Sequence, residues 1–127
     1  MDKPNYMLSV EGLKQFESTL PDFEFPESYL KIVDLELVDF DNWFLLSEYL
    51  VKSRYNDLIT RYKGRKLVPF ARRGDNDDIA CFEIGYGERV FIVHDFASEG
   101  WERRQEFETF WNWFISVIKE LIGIEME

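Results

Sequence analysis

The sequence predicts an α+β domain in which a mostly antiparallel β-sheet packs against α-helices. Apolar residues at helical spacing occupy the first half of the chain and its last quarter. Three short apolar runs with Gly-, Asp- and Asn-rich connections lie between them, which is the pattern of consecutive strands. The length of 127 residues fits one domain, and 46% hydrophobic residues suffice for one core. We therefore expect a single domain over residues 1–127.

Three helices are predicted before the sheet. Ser9 can cap the first helix, and Pro26 suits the first position of a short second helix over 26–33. Between 34 and 46 the pattern is ambiguous and favours one or two strands. Ser47 caps a third helix, whose apolar stripe consists of Val51, Tyr55, Leu58 and Tyr62.

The strands 67–71, 79–84 and 90–96 follow in quick succession, and their short connections predict antiparallel hairpins. Pro69 has no N–H to donate, so we expect its strand to be an edge strand or to begin near this residue. A last helix is predicted over 104–122. Its core face would hold Phe107, Phe110, Trp111, Phe114, Ile118, Leu121 and Ile122, whereas Trp113 falls off this stripe.

The formal net charge of −10 disfavours nucleic acid and an anionic membrane surface as partners. It favours a basic protein partner, although good solubility alone explains it equally well. Residues 52–73 are an exception, with eight bases and one acid, or a net charge of +7. The chain has one cysteine and no visible signal peptide or membrane-spanning run, so we expect a cytoplasmic protein.

The inventory of catalytic residues is poor. His94 and Cys81 are the single residues of their types, and they could form a nucleophilic pair only if their strands are neighbours. The acids around 75–78, with Glu83 beyond, invite a metal-dependent hydrolase, but the spacing of a calcium loop fails. Asx-rich turns need no such chemistry. We expect no enzyme, no cofactor and no metal.

A protein-binding surface is the stronger hypothesis. Exposed tryptophan beside arginine suits a protein interface, with packing against the sheet edge as the alternative for Trp101 and Trp113. The basic segment 52–73 is the next candidate surface. The predicted protein-binding residues are Asp39, Asp41, Trp43, Asp75, Asp77, Asp78 and Trp101.

Over residues 25–122 the chain resembles the SUKH superfamily, which includes the yeast cell-wall-synthesis regulators of the Smi/Knr type. The matching segments are FPESYLKIV, LVPFARRGDNDDIACFE and EFETFWNWFISVIKEL. The chain departs from the family after the first segment, where it runs on as DLELVDFDNW instead of ending in Asn-Gly. Asn76 also replaces the usual second Gly or acid of the turn.

The resemblance implies an α+β binding module without enzyme activity. Bacterial members commonly act as immunity proteins that bind and block a polymorphic toxin made by the same strain, and eukaryotic members regulate through protein contacts. We therefore expect a basic cognate toxin as partner, for example a nuclease, with a function as a regulatory adaptor as the alternative. The sequence leaves the oligomeric state open.

Overall fold

A computed structural model describes residues 6–123, so both ends of the expected domain, 1–5 and 124–127, lie outside the described residues. The described chain confirms the α+β class and forms one domain. Its helices are α1 (Val10–Glu17), α2 (Glu27–Asp34), α3 (Glu48–Arg61) and α4 (Phe110–Leu121). Its strands are β1 (Trp43–Leu45), β2 (Leu67–Arg73), β3 (Asp78–Glu83), β4 (Val90–His94) and β5 (Arg103–Phe107).

The five strands form one antiparallel sheet in the order β1-β2-β3-β4-β5, so each strand pairs with its neighbour in the chain. This meander places alternate connections at opposite ends of the sheet. We call the end formed by residues 39–42, 74–77 and 95–102 the turn end. Residues 84–89 connect β3 to β4 at the opposite end.

Side chains alternate between two covered faces of the sheet. Ala80 and Phe82 belong to the larger core with α2 and α4, where the Phe70 and Phe82 rings stack at 4.4 Å. Ile79 and Cys81 point the other way, into a second cluster with Leu58 and Tyr62 of α3. The predicted stripe of α3 is confirmed, because all four of its residues are buried.

Serine and threonine start the helices as their residue types favour. Ser9 accepts a hydrogen bond from the Gly12 N–H, and Ser47 accepts one from the Leu50 N–H, which confirms both predicted caps. Glu48 lies beside the first turn of α1, where its carboxylate accepts hydrogen bonds from the Ser9 N–H and hydroxyl, both at 2.7 Å. A Cβ at position 12 would lie 2.1 Å from that carboxylate, so the close approach requires glycine.

The predicted helix over 104–122 is wrong in its first part. Residues 103–107 form β5, the outer strand beside β4, and the helix begins only after its cap, Thr109. Because α4 begins at Phe110, the residues of this helix that face the core are Phe110, Trp113 and Val117. Trp113 is 1% exposed and Trp111 is 42% exposed, the reverse of the sequence prediction.

Of the two expectations for Pro69, the edge strand is wrong, whereas the strand does begin near it, at Leu67. β2 lies inside the sheet, between β1 and β3. The register between β2 and β3 shifts between Pro69 and Ala71, and such an irregularity accommodates a residue that cannot donate to the ladder.

Half of the eight bases in the segment 52–73 form internal ion pairs. Arg65 contacts Glu83 at 2.7 Å and Glu102 at 3.0 Å, and both carboxylates are buried. Arg54 and Arg61 both bind the buried Asp95. These bases therefore join α3 and its following loop to the ends of the strands. The other four bases are exposed and form no ion pair within the described residues: Lys52, Lys63, Lys66 and Arg72.

Candidate protein-binding surface

The turn end brings together three chain segments that are far apart in sequence. Trp43 pairs with Arg73, and the Gly74 N–H donates to the Asn42 carbonyl at 3.2 Å, which joins the first segment to the second. The Asp95 N–H donates to the Asp77 carbonyl at 3.1 Å, which joins the second to the third. The predicted residues that lie at this end are Asp39, Asp41, Trp43, Asp75, Asp77, Asp78 and Trp101.

Two aromatic side chains are strongly exposed at the turn end. Trp101 is 81% exposed and Phe96 is 65% exposed, on the connection between β4 and β5. Trp43 is 5% exposed and packs edge-on against Trp113 at 5.6 Å, so it belongs to the core. Trp43 was predicted as a protein-binding residue, but its strand position turns the ring inward, away from a partner.

Part of the acidic charge at the turn end is neutralised within the protein. Arg73 holds Asp75 at 2.8 Å and Glu120 at 2.8 Å, which ties the β2–β3 turn to the end of α4. The hydrogen bonds from Arg73 lower the pKa of both carboxyls. Asp78 Oδ1 lies 3.1 Å from His94 Nδ1 and 3.6 Å from Arg104 Nε.

Three of the predicted acids keep their charge available to a partner. Within residues 6–123, Asp39, Asp41 and Asp77 form no ion pair. Asp39 and Asp41 are exposed on the turn before β1, and Asp77 is exposed on the turn before β3. The turn end therefore offers unpaired carboxylates and exposed aromatic rings on one end of the sheet, and Asp77 and Phe96 line the same depression there.

Buried side chains hold the β4–β5 connection in place. Besides Asp95, which binds two arginines, the Tyr62 hydroxyl donates to the Ala97 carbonyl at 2.8 Å. Glu102 accepts from the Gly100 N–H at 2.7 Å. A loop fixed in this way displays its aromatic residues in one arrangement, which reduces the entropy lost when a partner binds.

Phe96 is the residue at this end that the sequence analysis missed. Its φ of +70° lies in the left-handed region, which is unfavourable for a bulky residue. The Arg61 guanidinium lies 4.5 Å from the ring centroid and supports it from one side. The motif HDFASEG contains turn formers that indicate a loop, but no local signal shows that Phe96 points to solvent.

A second acidic region lies at the opposite end of the sheet. Asp22, Glu24, Glu27 and Glu88 line one depression between the α1–α2 connection and the β3–β4 connection. None of the four forms an ion pair within the described residues. The sequence signal was the acid excess of residues 11–41, which hold nine acids and two bases.

The candidate catalytic residues are not brought together. Cys81 pairs with Phe91 and Asp78 pairs with His94, so the thiol and the imidazole are three strand positions, or roughly 10 Å, apart. Burial raises the pKa of the Cys81 thiol, which opposes the thiolate form. Asp75 precedes β3 and Glu83 is the last residue of that strand, so the two carboxylates lie at opposite ends of β3 and cannot share one metal. Among residues 6–123, no group of three potential ligands could hold a metal ion.

Comparison with protein-family models, curated proteins and solved structures finds no match to this chain. The resemblance to the SUKH superfamily therefore stays a prediction from sequence. None of the helices within residues 6–123 combines the length and the apolar character needed to cross a bilayer.

Proposed function

We propose that this protein is an immunity protein that neutralises a cognate basic toxin by stoichiometric binding through the turn end of its sheet. One observation carries the proposal: three separate connections place exposed Trp101 and Phe96 at the same end of the sheet as the unpaired Asp39, Asp41 and Asp77. Aromatic anchors with adjacent charge are the composition of an interface that binds tightly and selectively.

The carboxylates and the aromatic rings of the turn end would contribute to different steps of binding. Unpaired carboxylates attract a basic partner over a distance of about one Debye length and raise its association rate. The aromatic rings, once covered, slow dissociation because large apolar side chains contribute most of the affinity at interface centres. The absence of a paired nucleophile or metal cluster in the described chain supports inhibition by binding.

The partner can be identified by capture from the native cell with three baits. One is the wild type, one carries Asn at positions 39, 41, 77 and 78, and one carries Asn or Gln at 22, 24, 27 and 88. The third bait is a matched control, since it loses as many charges at the opposite end. We expect one basic protein to bind the wild type and the control but not the turn-end variant.

The captured protein must then arrest growth when expressed alone and lose that effect when this chain is co-expressed. A captured partner that is harmless in the cell would contradict the immunity function and favour a regulatory adaptor. Loss of capture by the opposite-end variant alone would move the binding surface to the depression lined by Glu27 and Glu88.

The association rate gives the first quantitative prediction. Neutralising Asp39, Asp41, Asp77 and Asp78 together is expected to slow association by about tenfold at low salt and to flatten its salt dependence, because steering is lost. Stopped-flow mixing at low and high ionic strength measures this. Neutralising the exposed Asp39, Asp41 and Asp77 should change the free energy of unfolding by less than about 1 kcal/mol, since exposed charges contribute little to stability. Asp78 is partly buried against His94 and Arg104, so its neutralisation adds a further cost that the same unfolding measurement reports.

The variant Phe96→Gly is expected to weaken binding of the toxin without lowering the stability of the fold. Glycine adopts a positive φ without strain, which is worth about 1–2 kcal/mol, and the lost contact with Arg61 is worth about 0.5–1 kcal/mol. We expect the free energy of unfolding to stay within about 1 kcal/mol or to rise, while the affinity for the toxin falls at least about tenfold. Urea unfolding and calorimetric titration test this, with Tyr86→Gly as an exposed aromatic control at the opposite end. Unchanged affinity would remove Phe96 from the interface.

A further inference from the structure

The outer face of α4 is apolar although it is exposed. Trp111 and Ile115 are 42% and 50% exposed, Ile118 is half-buried and Ile122 is exposed. Their spacing of four, three and four residues forms one line along the helix, the spacing by which one helix packs against another. The other face of α4, with Phe110, is already used by the core.

This face carries no charge in a strongly charged protein. Residues 109–118 contain neither acid nor base, whereas 31% of the chain is charged and its net charge is −10. The basic partner favoured by the turn end would find no carboxylate here. A second copy of α4 would find an equally neutral surface, so two chains that repel overall can approach at this face without opposing like charges.

The ends of this face are complementary to each other. Glu108 and Lys119 are both exposed, and neither forms an ion pair within the described residues. In an antiparallel pair related by a two-fold axis, the Glu108 end of one helix lies at the Lys119 end of the other. The helix dipoles also oppose each other in this arrangement. A parallel pair would bring like ends together.

We propose that α4 forms the interface of a homodimer, with the line Trp111–Ile115–Ile118–Ile122 packed antiparallel against the same line of a second copy. A 12-residue helix is about 18 Å long and supplies less than the roughly 800 Å² per partner of a standard interface. The dimer is therefore weak and populated at micromolar concentrations or above. This inference is independent of the toxin-binding proposal.

Sedimentation equilibrium of the purified chain from about 1 to 500 µM tests the proposal. We expect a monomer–dimer equilibrium in the wild type and at least about 100-fold weaker association in Ile115→Glu, which would bury an unpaired carboxylate in the interface. Leu35→Glu is the matched control, because it adds the same charge at another exposed apolar position. It should dimerise like the wild type, and circular dichroism verifies that both variants fold.

The salt dependence of dimerisation provides an independent test of the proposal. Two chains of charge −10 repel, so added salt should strengthen dimerisation, whereas it weakens the binding of a basic toxin. A wild type that stays monomeric throughout the concentration range overturns the proposal. Dimerisation that persists in Ile115→Glu, or that Leu35→Glu weakens equally, also overturns it.

Discussion

Trp113→Ala is expected to lower the free energy of unfolding by about 3–5 kcal/mol. Trp113 is the largest of the fully buried side chains, and its ring packs against Trp43, Phe70 and Phe110 at centroid distances of 5.6, 4.9 and 5.5 Å. Truncation would leave a cavity that joins α4, β1 and β2, and close-packed aromatic neighbours cannot fill it. Urea unfolding followed by circular dichroism measures the loss.

Trp111→Ala is the matched control, because it removes the same side chain two positions earlier in the same helix. Trp111 is substantially exposed, so we expect a loss of less than about 1.5 kcal/mol. Equal losses in the two variants would contradict the phase of α4 described above and would restore the stripe predicted from sequence.

Arg65→Ala is expected to cost about 3–5 kcal/mol at neutral pH. It would leave Glu83 and Glu102 buried without their shared cation, and an uncompensated buried charge is costly. Arg89→Ala is the control, since Arg89 and Glu106 form an exposed pair at 3.8 Å whose loss should cost about 0–1 kcal/mol. Urea unfolding of both variants at pH 7 gives the comparison.

The effect of Arg65 should depend on pH in a defined direction. Burial opposes ionisation of Glu102, but hydrogen bonds from backbone N–H groups and from Arg65 outweigh it and lower the pKa below the usual 4.5. A lowered carboxyl pKa stabilises the fold above the unfolded value, and this contribution is lost as the pH falls through the folded value. The difference between wild type and Arg65→Ala should therefore shrink from pH 7 to about pH 3. A constant difference would show that Arg65 acts through packing alone.

Local signals in the sequence predicted much of the fold. Ser9 and Ser47 mark helix starts because a side-chain oxygen there satisfies a free N–H, and the apolar stripe of α3 depends only on the helical period. β5 could not be predicted in this way. Arg103 and Arg104 have no strand preference of their own, and the segment is extended because β4 offers it hydrogen bonds. Because this segment was predicted as helix, the predicted start of α4 came too early, and Trp111 was assigned to the core face in place of Trp113.

The candidate surface was only partly predictable for the same reason. The acidic turns and Trp101 were visible as composition, but their meeting at the turn end depends on the order of the strands. Trp43 was expected at this surface, yet its orientation is decided by pairing with β2 and packing on Trp113. The pairing of Arg73 with Asp75 and Glu120 joins residues 47 positions apart, which no local pattern indicates.

The meander gives the turn end an evolutionary freedom that the strands lack. Most residues of the segments 39–42, 74–77 and 96–101 are exposed, and the segments connect elements whose side chains build the core, to which only the buried Phe40 adds from within them. Their exposed residues can therefore be exchanged without disturbing the packed layers beneath them. Descendants of this chain could keep one scaffold while each acquires a different binding preference. Transplanting these three short segments between such descendants is the smallest change that would transfer that preference.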